Sequence, residues 1–143
     1  MFEKILLPVS GSDESIAASE FAVKLATVHN SQIIALNVVD TTVVRQLARL
    51  SGKSPGEVEV EIEENGWRYL YYAEEVAKDN KIRIAVMLEH GLPQERILSK
   101  AREYKTDLII IGQSGKRGTP GISLDRFLQY ILEQAPCPVL IIK

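Results

Sequence analysis

The segment that decides the fold runs from Ile109 to Phe127 and reads IIIGQSGKRGTPGISLDRF. Its apolar start has the length of a buried strand, a turn with Gly112 and Gly115 follows, and its end predicts a helix. A glycine-rich turn between a strand and a helix is a common phosphate site in α/β proteins. Asp125, however, lies where the helix would begin, and its carboxylate competes with a bound anion for the positive pole of the helix. The segment predicts an α/β fold and leaves nucleotide binding open.

Length and composition limit the classes of protein to consider. A chain of 143 residues with 45% apolar residues can form one full core, so we expect residues 1–143 to be a single domain. The net charge of -2, with both signs interspersed, argues against nucleic acid as a partner. No apolar run is long enough for a membrane span and no signal-peptide pattern opens the chain, so we expect a cytoplasmic protein. One cysteine, Cys137, and two separated histidines, His29 and His90, predict neither a disulfide nor a metal site.

Apolar runs alternate with helical periodicities along the chain. Strands are predicted to begin at Lys4, Gln32, Ile82, Leu108 and Pro138. Helices are predicted after the turn at residues 11–13, over residues 92–104 and over residues 124–134. The first of these is indicated by apolar residues at roughly helical spacing, which are Ile16, Ala17, Phe21, Val23, Ala26 and Val28. Strands separated by helices pair in parallel through right-handed crossovers, so we predict a Rossmann-like, doubly wound, five-stranded parallel sheet flanked by helices.

The segment Glu57–Tyr72 allows two interpretations. Its alternation of apolar and acidic residues, followed by Asn65-Gly66, is typical of a β-hairpin. Against this, residues 54–57 read Ser-Pro-Gly-Glu, which is a helix start with a serine cap, a proline in the first turn and a glutamate that completes the capping box. The crossover between parallel strands also needs a helix to cover the sheet. We therefore predict a helix from Pro55 to about Lys78.

The carboxyl ends of the strands are the expected ligand site. Doubly wound sheets bind ligands there, at the point where the strand order reverses, so the loops after Val9, Val39 and Ile111 are the candidates. The chain has no nucleophile, base and acid in a recognisable order, and no complete Gly-x-x-x-x-Gly-Lys-Ser/Thr phosphate loop. We predict no catalytic residue.

Three segments together resemble one known family: residues 4–15 (KILLPVSGSDES), residues 90–97 (HGLPQERI) and residues 137–143 (CPVLIIK). On these segments the whole chain resembles the universal stress protein family. That family's nucleotide motif is Gly-x-x-Gly, nine residues, then Gly and Ser or Thr. Gly112 and Gly115 match its first half, whereas Asp125 and Arg126 occupy the second. Ser10 also stands where the family's first loop usually has an aspartate.

The resemblance implies an adenine nucleotide alpha hydrolase-like fold and a cytoplasmic stress-response domain. This domain would act as a dimeric binding or regulatory module, without enzymatic activity and with weak or lost ATP binding. One alternative is genuine ATP or AMP binding, with slow ATP hydrolysis. Another is a flavodoxin-like electron carrier, although the strand-end loops lack the aromatic residues that enclose a flavin. The residues expected around a nucleotide are Pro8, Val9, Ser10, Val38, Ile111, Gly112, Gly115, Arg126 and Phe127.

The last apolar run carries a separate prediction. Val139–Ile142 has no charge or proline to prevent further strand pairing. Universal stress proteins commonly dimerise through their last strand, so the resemblance implies a homodimer formed by antiparallel pairing of this segment.

Overall fold

The computed structural model describes residues 1–113 and 126–143. Within these ranges helices separate successive strands, as the sequence predicts. The strands are β1 (Lys4–Pro8), β2 (Gln32–Asp40), β3 (Ile84–Gly91), β4 (Leu108–Gly112) and β5 (Val139–Ile142). The helices are α1 (Asp13–His29), α2 (Thr41–Ser51), α3 (Pro55–Asp79), α4 (Pro93–Glu103) and α5 (Arg126–Gln134). The first two residues predicted for the last helix, 124 and 125, lie outside the described ranges.

The five strands form one parallel sheet in the order β3-β2-β1-β4-β5. The predicted doubly wound, five-stranded parallel sheet is therefore confirmed. The chain builds outward from β1 to β3 and then adds β4 and β5 on the other side of β1. The strand order consequently reverses between β1 and β4, and the carboxyl ends of these two strands are where such sheets bind ligands.

Apolar side chains fill both faces of the sheet, as a parallel sheet requires. In β1, Ile5 and Leu7 belong to the cluster packed under α1 and α3, whereas Leu6 belongs to the cluster under α4 and α5. All three are completely buried. This alternation follows from the period of two in a strand, and it leaves the strand ends as the only part of β1 that a ligand could reach.

Helix α1 lies where the sequence predicts it, but of the six apolar residues at helical spacing only Val23 and Ala26 are buried. Ile16, Phe21 and Val28 are 38%, 41% and 77% exposed. The buried positions are Ser15, Ala18, Ser19, Ala22, Val23 and Ala26. Small side chains allow the helix to lie close to the sheet, and this close packing decides the buried face more strongly than the hydrophobicity of the larger residues.

Helix α3 confirms the helical interpretation of Glu57–Tyr72, and the β-hairpin interpretation is wrong. The Ser54 side chain accepts a hydrogen bond from the Glu57 N–H at 3.2 Å, and Glu57 accepts one from the Ser54 N–H at 3.1 Å. The bond from the Ser54 backbone lowers the pKa of the Glu57 carboxyl. The capping box thus fixes the start of α3, and the alternating pattern of Glu57–Tyr72 contains no information on this signal.

Helix α2 is an element that the sequence analysis does not predict. Asp40 caps it, because its Oδ1 accepts hydrogen bonds from Thr42 N at 2.9 Å and Val43 N at 3.3 Å. Its buried residues Val44 and Ala48 pack with Val39 of β2 and Val58 of α3 in a small separate cluster. The helix is short and rich in β-branched residues at its start, so its local pattern is weak.

Candidate functional site

A cleft of about 420 Å³ opens at the carboxyl ends of β1, β2 and β4. Its wall comes from the loop after β1, the first turn of α1, the ends of β2 and β4, the first turns of α4 and the start of α5. The lining residues are Pro8, Val9, Ser10, Ser15, Leu36, Asn37, Val38, Asp40, Pro93, Gln94, Ile97, Ile111, Gly112 and Phe127. The cleft therefore lies at the point where the strand order reverses, as expected for a ligand site in this fold.

Most residues that the sequence analysis predicts around a nucleotide lie together in this cleft. The structure brings together Pro8, Val9, Ser10, Val38, Ile111, Gly112 and Phe127. Arg126 is exposed and does not belong to the lining. Gly115 lies outside the described residues, as does Asp125. That any of these residues binds a nucleotide stays a prediction.

Serines shape the loop after β1, which carries Ser10 where an aspartate is usual in the family. The Ser10 N–H donates to Ser15 Oγ at 2.7 Å. The Ser10 hydroxyl accepts from the Ser12 N–H at 3.3 Å and lies 3.2 Å from Ser12 Oγ. Ser12 in turn caps α1 by accepting from Ser15 N at 3.1 Å. Ser10 thus contributes to the fold of its own loop and offers the cleft no charge.

Two polar lining residues, Asn37 and Asp40, are absent from the sequence predictions. Asn37 is almost completely buried, and its Nδ2 donates to the Val9 carbonyl at 2.9 Å, which ties the loop after β1 to β2. Asp40 is half-buried at the cleft margin while it caps α2. Both had a signal in the sequence: Asn37 interrupts an apolar strand, and Asp40 stands directly before the helix that was not predicted.

The described lining is apolar with one anionic group. Among its residues in the ranges 1–113 and 126–143, Asp40 is the only one with a charged side chain. The remainder offers aliphatic and aromatic surface, neutral hydroxyls and amides, and the strand-end backbone. Such a wall suits a planar apolar ring with a few hydrogen-bonding groups. It supplies no cation for a phosphate.

A second group of titratable side chains lies outside the cleft, where β3 meets α3. His90 Nε2 is 2.6 Å from Glu63 Oε2 and 4.0 Å from Glu59 Oε2. Sequence spacing predicts no metal-ligand cluster, and the structure differs on this point, because the three ligand atoms lie within 4.8 Å of one another. The glutamates and the histidine are about thirty residues apart, so only the packing of helix on strand reveals the group.

The surroundings of Cys137 and His29 indicate packing roles for both residues. Cys137 is half-buried beside Thr106, and burial raises the pKa of its thiol, which disfavours the reactive thiolate. His29 lies in the last turn of α1 with its ring edge-on to Phe2, 5.4 Å between centroids. Neither residue lines the cleft. In the described part of the chain, no helix combines the length and apolar character of a membrane span.

Fold and cleft together define an α/β domain with an open cleft at its topological switch point. Comparison with known proteins identifies the family. The sequence model of the universal stress protein family matches residues 1–143, and the chain therefore belongs to that family. The resemblance seen in the three sequence segments is confirmed.

Individual relatives agree with this assignment. A universal stress protein from Methanocaldococcus jannaschii is 30% identical over 144 residues, which cover 100% of this chain and 83% of the relative. The solved structure of a second protein of that family from the same organism matches with a TM-score of 0.83 at 22% identity, covering 100% of this chain and 96% of the other. A universal stress protein from Archaeoglobus fulgidus, solved in complex with dAMP, matches with a TM-score of 0.69 at 18% identity, covering 100% and 98%. At these identities the structural matches show the common fold.

Proposed function

We propose that this universal stress protein acts as a dimeric binding or regulatory module without catalytic activity, and that its ATP affinity is weak or lost. The observation that carries the proposal is the charge of the cleft: among the described lining residues, Asp40 is the one charged side chain and it is an anion. An anion at the margin of the cleft repels a ligand more strongly the more negative charge the ligand carries. The cleft therefore favours an adenine nucleoside or monophosphate over a triphosphate.

The size and wall of the cleft support a small adenine ligand. Its volume of about 420 Å³ falls in the range of roughly 300–1,000 Å³ that is usual for small-molecule sites. Val38, Ile111 and Phe127 offer apolar surface for a purine ring. The relative from Archaeoglobus fulgidus was solved with dAMP, an adenine monophosphate. These features also support the alternative of a genuine ATP or AMP binder with slow ATP hydrolysis, since seven of the nine predicted residues line one cleft.

The sequence of the nucleotide motif favours weak ATP binding over the alternative function. Asp125 takes the place of the second glycine, and Arg126 that of the serine or threonine. A carboxylate about 4 Å from a phosphate oxygen repels it by roughly 4 kcal/mol at an effective dielectric near 20, or about three decades of affinity. Arg126 could offset part of the repulsion by donating to a phosphate.

Calorimetric titration of ligand-stripped protein with Mg-ATP and then AMP tests the proposal. We expect no saturable heat from Mg-ATP below millimolar concentration, and weak binding of AMP. The double variant Asp125→Gly with Arg126→Ser should raise ATP affinity by up to about three decades, because it removes the repelling carboxylate. Asp40→Asn tests the anion of the described lining separately: asparagine caps a helix as well as aspartate, so this variant removes the Asp40 charge and leaves the motif unchanged. It should strengthen ATP binding by less than about tenfold.

Either of two results would contradict the weak-binding proposal. Micromolar ATP binding by the unaltered chain would favour the alternative function. An unchanged ATP affinity in the double variant would mean that Asp125 does not cause the weak ATP binding, and Ser10 would be the next candidate.

The position of β5 supports the proposed homodimer through Val139–Ile142. This strand is at one end of the sheet order, so its outer side has no partner among the described strands. On its inner side Pro138 O accepts from Ile109 N at 3.0 Å, and Ile142 O accepts from Gln113 N at 2.8 Å. The N–H and C=O groups of successive residues in a strand point to opposite sides. Those of Leu140 therefore point to β4, as the carbonyls of Pro138 and Ile142 do, whereas those of Val139 and Ile141 point to the free edge.

Ile141→Pro is therefore expected to yield a folded monomer. Proline removes one N–H from the free edge and takes no hydrogen bond from the β4–β5 ladder. Ile141→Val, which retains the N–H and most of the side-chain volume, should remain dimeric. Light scattering after gel filtration measures the mass, and circular dichroism reports whether each variant is folded. A monomeric unaltered chain, or a dimer that survives Ile141→Pro, would refute the β5 interface.

The absence of enzymatic activity belongs to the same proposal. The described lining of the cleft contains no histidine, cysteine or lysine as base or nucleophile. Its Ser10, Ser15 and Asp40 side chains accept hydrogen bonds from backbone N–H groups of the β1 loop and of α2. Location in the cytoplasm stays a prediction from the sequence.

A further inference from the structure

The group formed by Glu59, Glu63 and His90 has the arrangement of a metal site. Glu59 and Glu63 are one turn apart on the same side of α3, and His90 comes from β3, the edge strand opposite β5. The Oε2 atom of Glu63 is 2.6 Å from His90 Nε2, and that of Glu59 is 4.0 Å from it. Two rigid elements thus present three ligand atoms within 4.8 Å of one another.

The charges of the group favour a cation. Glu61, between the two glutamates in sequence, pairs with Lys53 at 2.6 Å, and Glu74 on the same helix pairs with Lys78 at 3.6 Å. For Glu59 and Glu63, in contrast, the imidazole of His90 is the one basic group within 4.0 Å among the described residues. With a neutral imidazole the group carries two negative charges, which a divalent ion would neutralise.

The donor atoms indicate which cations fit. Imidazole nitrogen and carboxylate oxygen are both zinc ligands, and open zinc sites combine three protein ligands with a fourth position for water. At Zn–N and Zn–O lengths of about 2.0–2.2 Å, tetrahedral ligands are roughly 3.3 Å apart. That separation lies between the 2.6 Å and 4.0 Å found here, so small side-chain rotations would suffice. The three side chains are 33–42% exposed, which leaves access for an ion and room for water.

We propose that Glu59, Glu63 and His90 bind one divalent transition-metal ion per chain, with Zn²⁺ as the best match. The site connects the middle of α3 to the edge strand β3. It lies outside the nucleotide cleft and at the opposite end of the sheet from the proposed dimer strand, so it is independent of both earlier proposals. An imidazole ligand favours Zn²⁺ over Mg²⁺ and Ca²⁺, which prefer oxygen.

Calorimetric titration of the chelator-treated full chain with Zn²⁺ tests the site. We expect one ion per chain with a dissociation constant on the order of micromolar, as an exposed three-ligand site suggests. His90→Gln and Glu59→Gln should each weaken binding by at least about tenfold. Glu61→Gln is the matched control, since it removes one charge from the same stretch of α3 and should leave Zn²⁺ affinity unchanged. Zn²⁺ at 100-fold excess over its dissociation constant should raise the Tm by roughly 5–10 °C in the unaltered chain and not in His90→Gln.

The competing explanation is a simple ion pair between His90 and Glu63, and it gives different results. In that case His90→Gln and Glu63→Gln would lower the Tm in the absence of metal, Glu59→Gln would have no effect, and no variant would alter Zn²⁺ binding. This pattern would overturn the proposal. So would zinc binding that depends on Cys137, measured with Cys137→Ser, or a preference for Mg²⁺ or Ca²⁺ over Zn²⁺.

Discussion

Replacing Gly112 with alanine is expected to lower the free energy of unfolding by about 3 kcal/mol or more. A Cβ atom at this position would lie 2.5 Å from both the backbone carbon and oxygen of Glu14, and 2.7 Å from the Ser15 nitrogen. These are backbone atoms in the first turn of α1, so no side-chain rotation can relieve the overlap. The first turn of α1 or the end of β4 must move, and both belong to the wall of the cleft.

Chemical denaturation of Gly112→Ala measures this effect, with Gly52→Ala as the control. Gly52 has a φ of +76° and nothing within 4 Å of an added Cβ, so alanine there should cost only about 1 kcal/mol of conformational strain. A Gly112→Ala protein as stable as the unaltered chain would contradict the packing argument. If such a protein also bound AMP less well, Gly112 would serve a ligand and not the fold.

A glycine in a nucleotide motif can be required by the ligand or by the fold. In the sequence, Gly112 and Gly115 predict a nucleotide site. The structure gives Gly112 a second reason to be glycine, namely the close approach of α1 to the end of β4. Gly112 would therefore persist even in a chain that binds no ATP. Evidence for binding has to come from the ligand titration, because the fold alone requires Gly112.

The fold was predictable from the sequence because its main signals are local. Apolar runs of strand length predicted all five strands, and the capping box at Ser54 and Glu57 outweighed the hairpin pattern that follows it. The features of the fold that the sequence did not predict depend on packing between elements. The buried face of α1 is decided by how closely small residues let it approach the sheet, and α2 is held by a cluster with α3.

The position of the cleft was also predictable from the sequence, whereas some of its contacts were not. Strand ends are fixed by topology, so the loops after β1, β2 and β4 could be named in advance, and seven predicted residues line the cleft. Asn37 stands out in the sequence as a polar residue in an apolar strand, but its partner, the Val9 carbonyl 28 positions earlier, could not be predicted. The group around His90 was not predicted because its glutamates lie on α3, which only the three-dimensional packing brings near β3. Contacts between distant segments carry no periodicity that a sequence pattern could reveal.

Gly66→Ala is the second substitution expected to have a large effect, even though alanine is a better helix former than glycine. Gly66 is buried in the middle of α3, and an added Cβ would lie 2.3 Å from Asn37 Oδ1 and 3.0 Å from Asn37 Cγ. Asn37 cannot retreat without breaking its bond to the Val9 carbonyl. The overlap and the lost hydrogen bond outweigh a helix gain of about 1 kcal/mol, so we expect a net loss of about 2 kcal/mol.

Two further variants isolate this contact. Gly56→Ala, on the same helix with only the Ser54 hydroxyl at 4.0 Å, should be neutral or stabilise the protein by up to about 1 kcal/mol. In an Asn37→Ala background the obstacle is gone, so Gly66→Ala should then behave like Gly56→Ala, and the double-mutant cycle should be strongly non-additive. Additive losses would mean that Leu88, whose Cδ1 is also 3.0 Å from the added Cβ, is the true obstacle. Because Asn37 holds the loop that bears Ser10, Gly66→Ala should also weaken AMP binding, whereas Gly56→Ala should leave it unchanged.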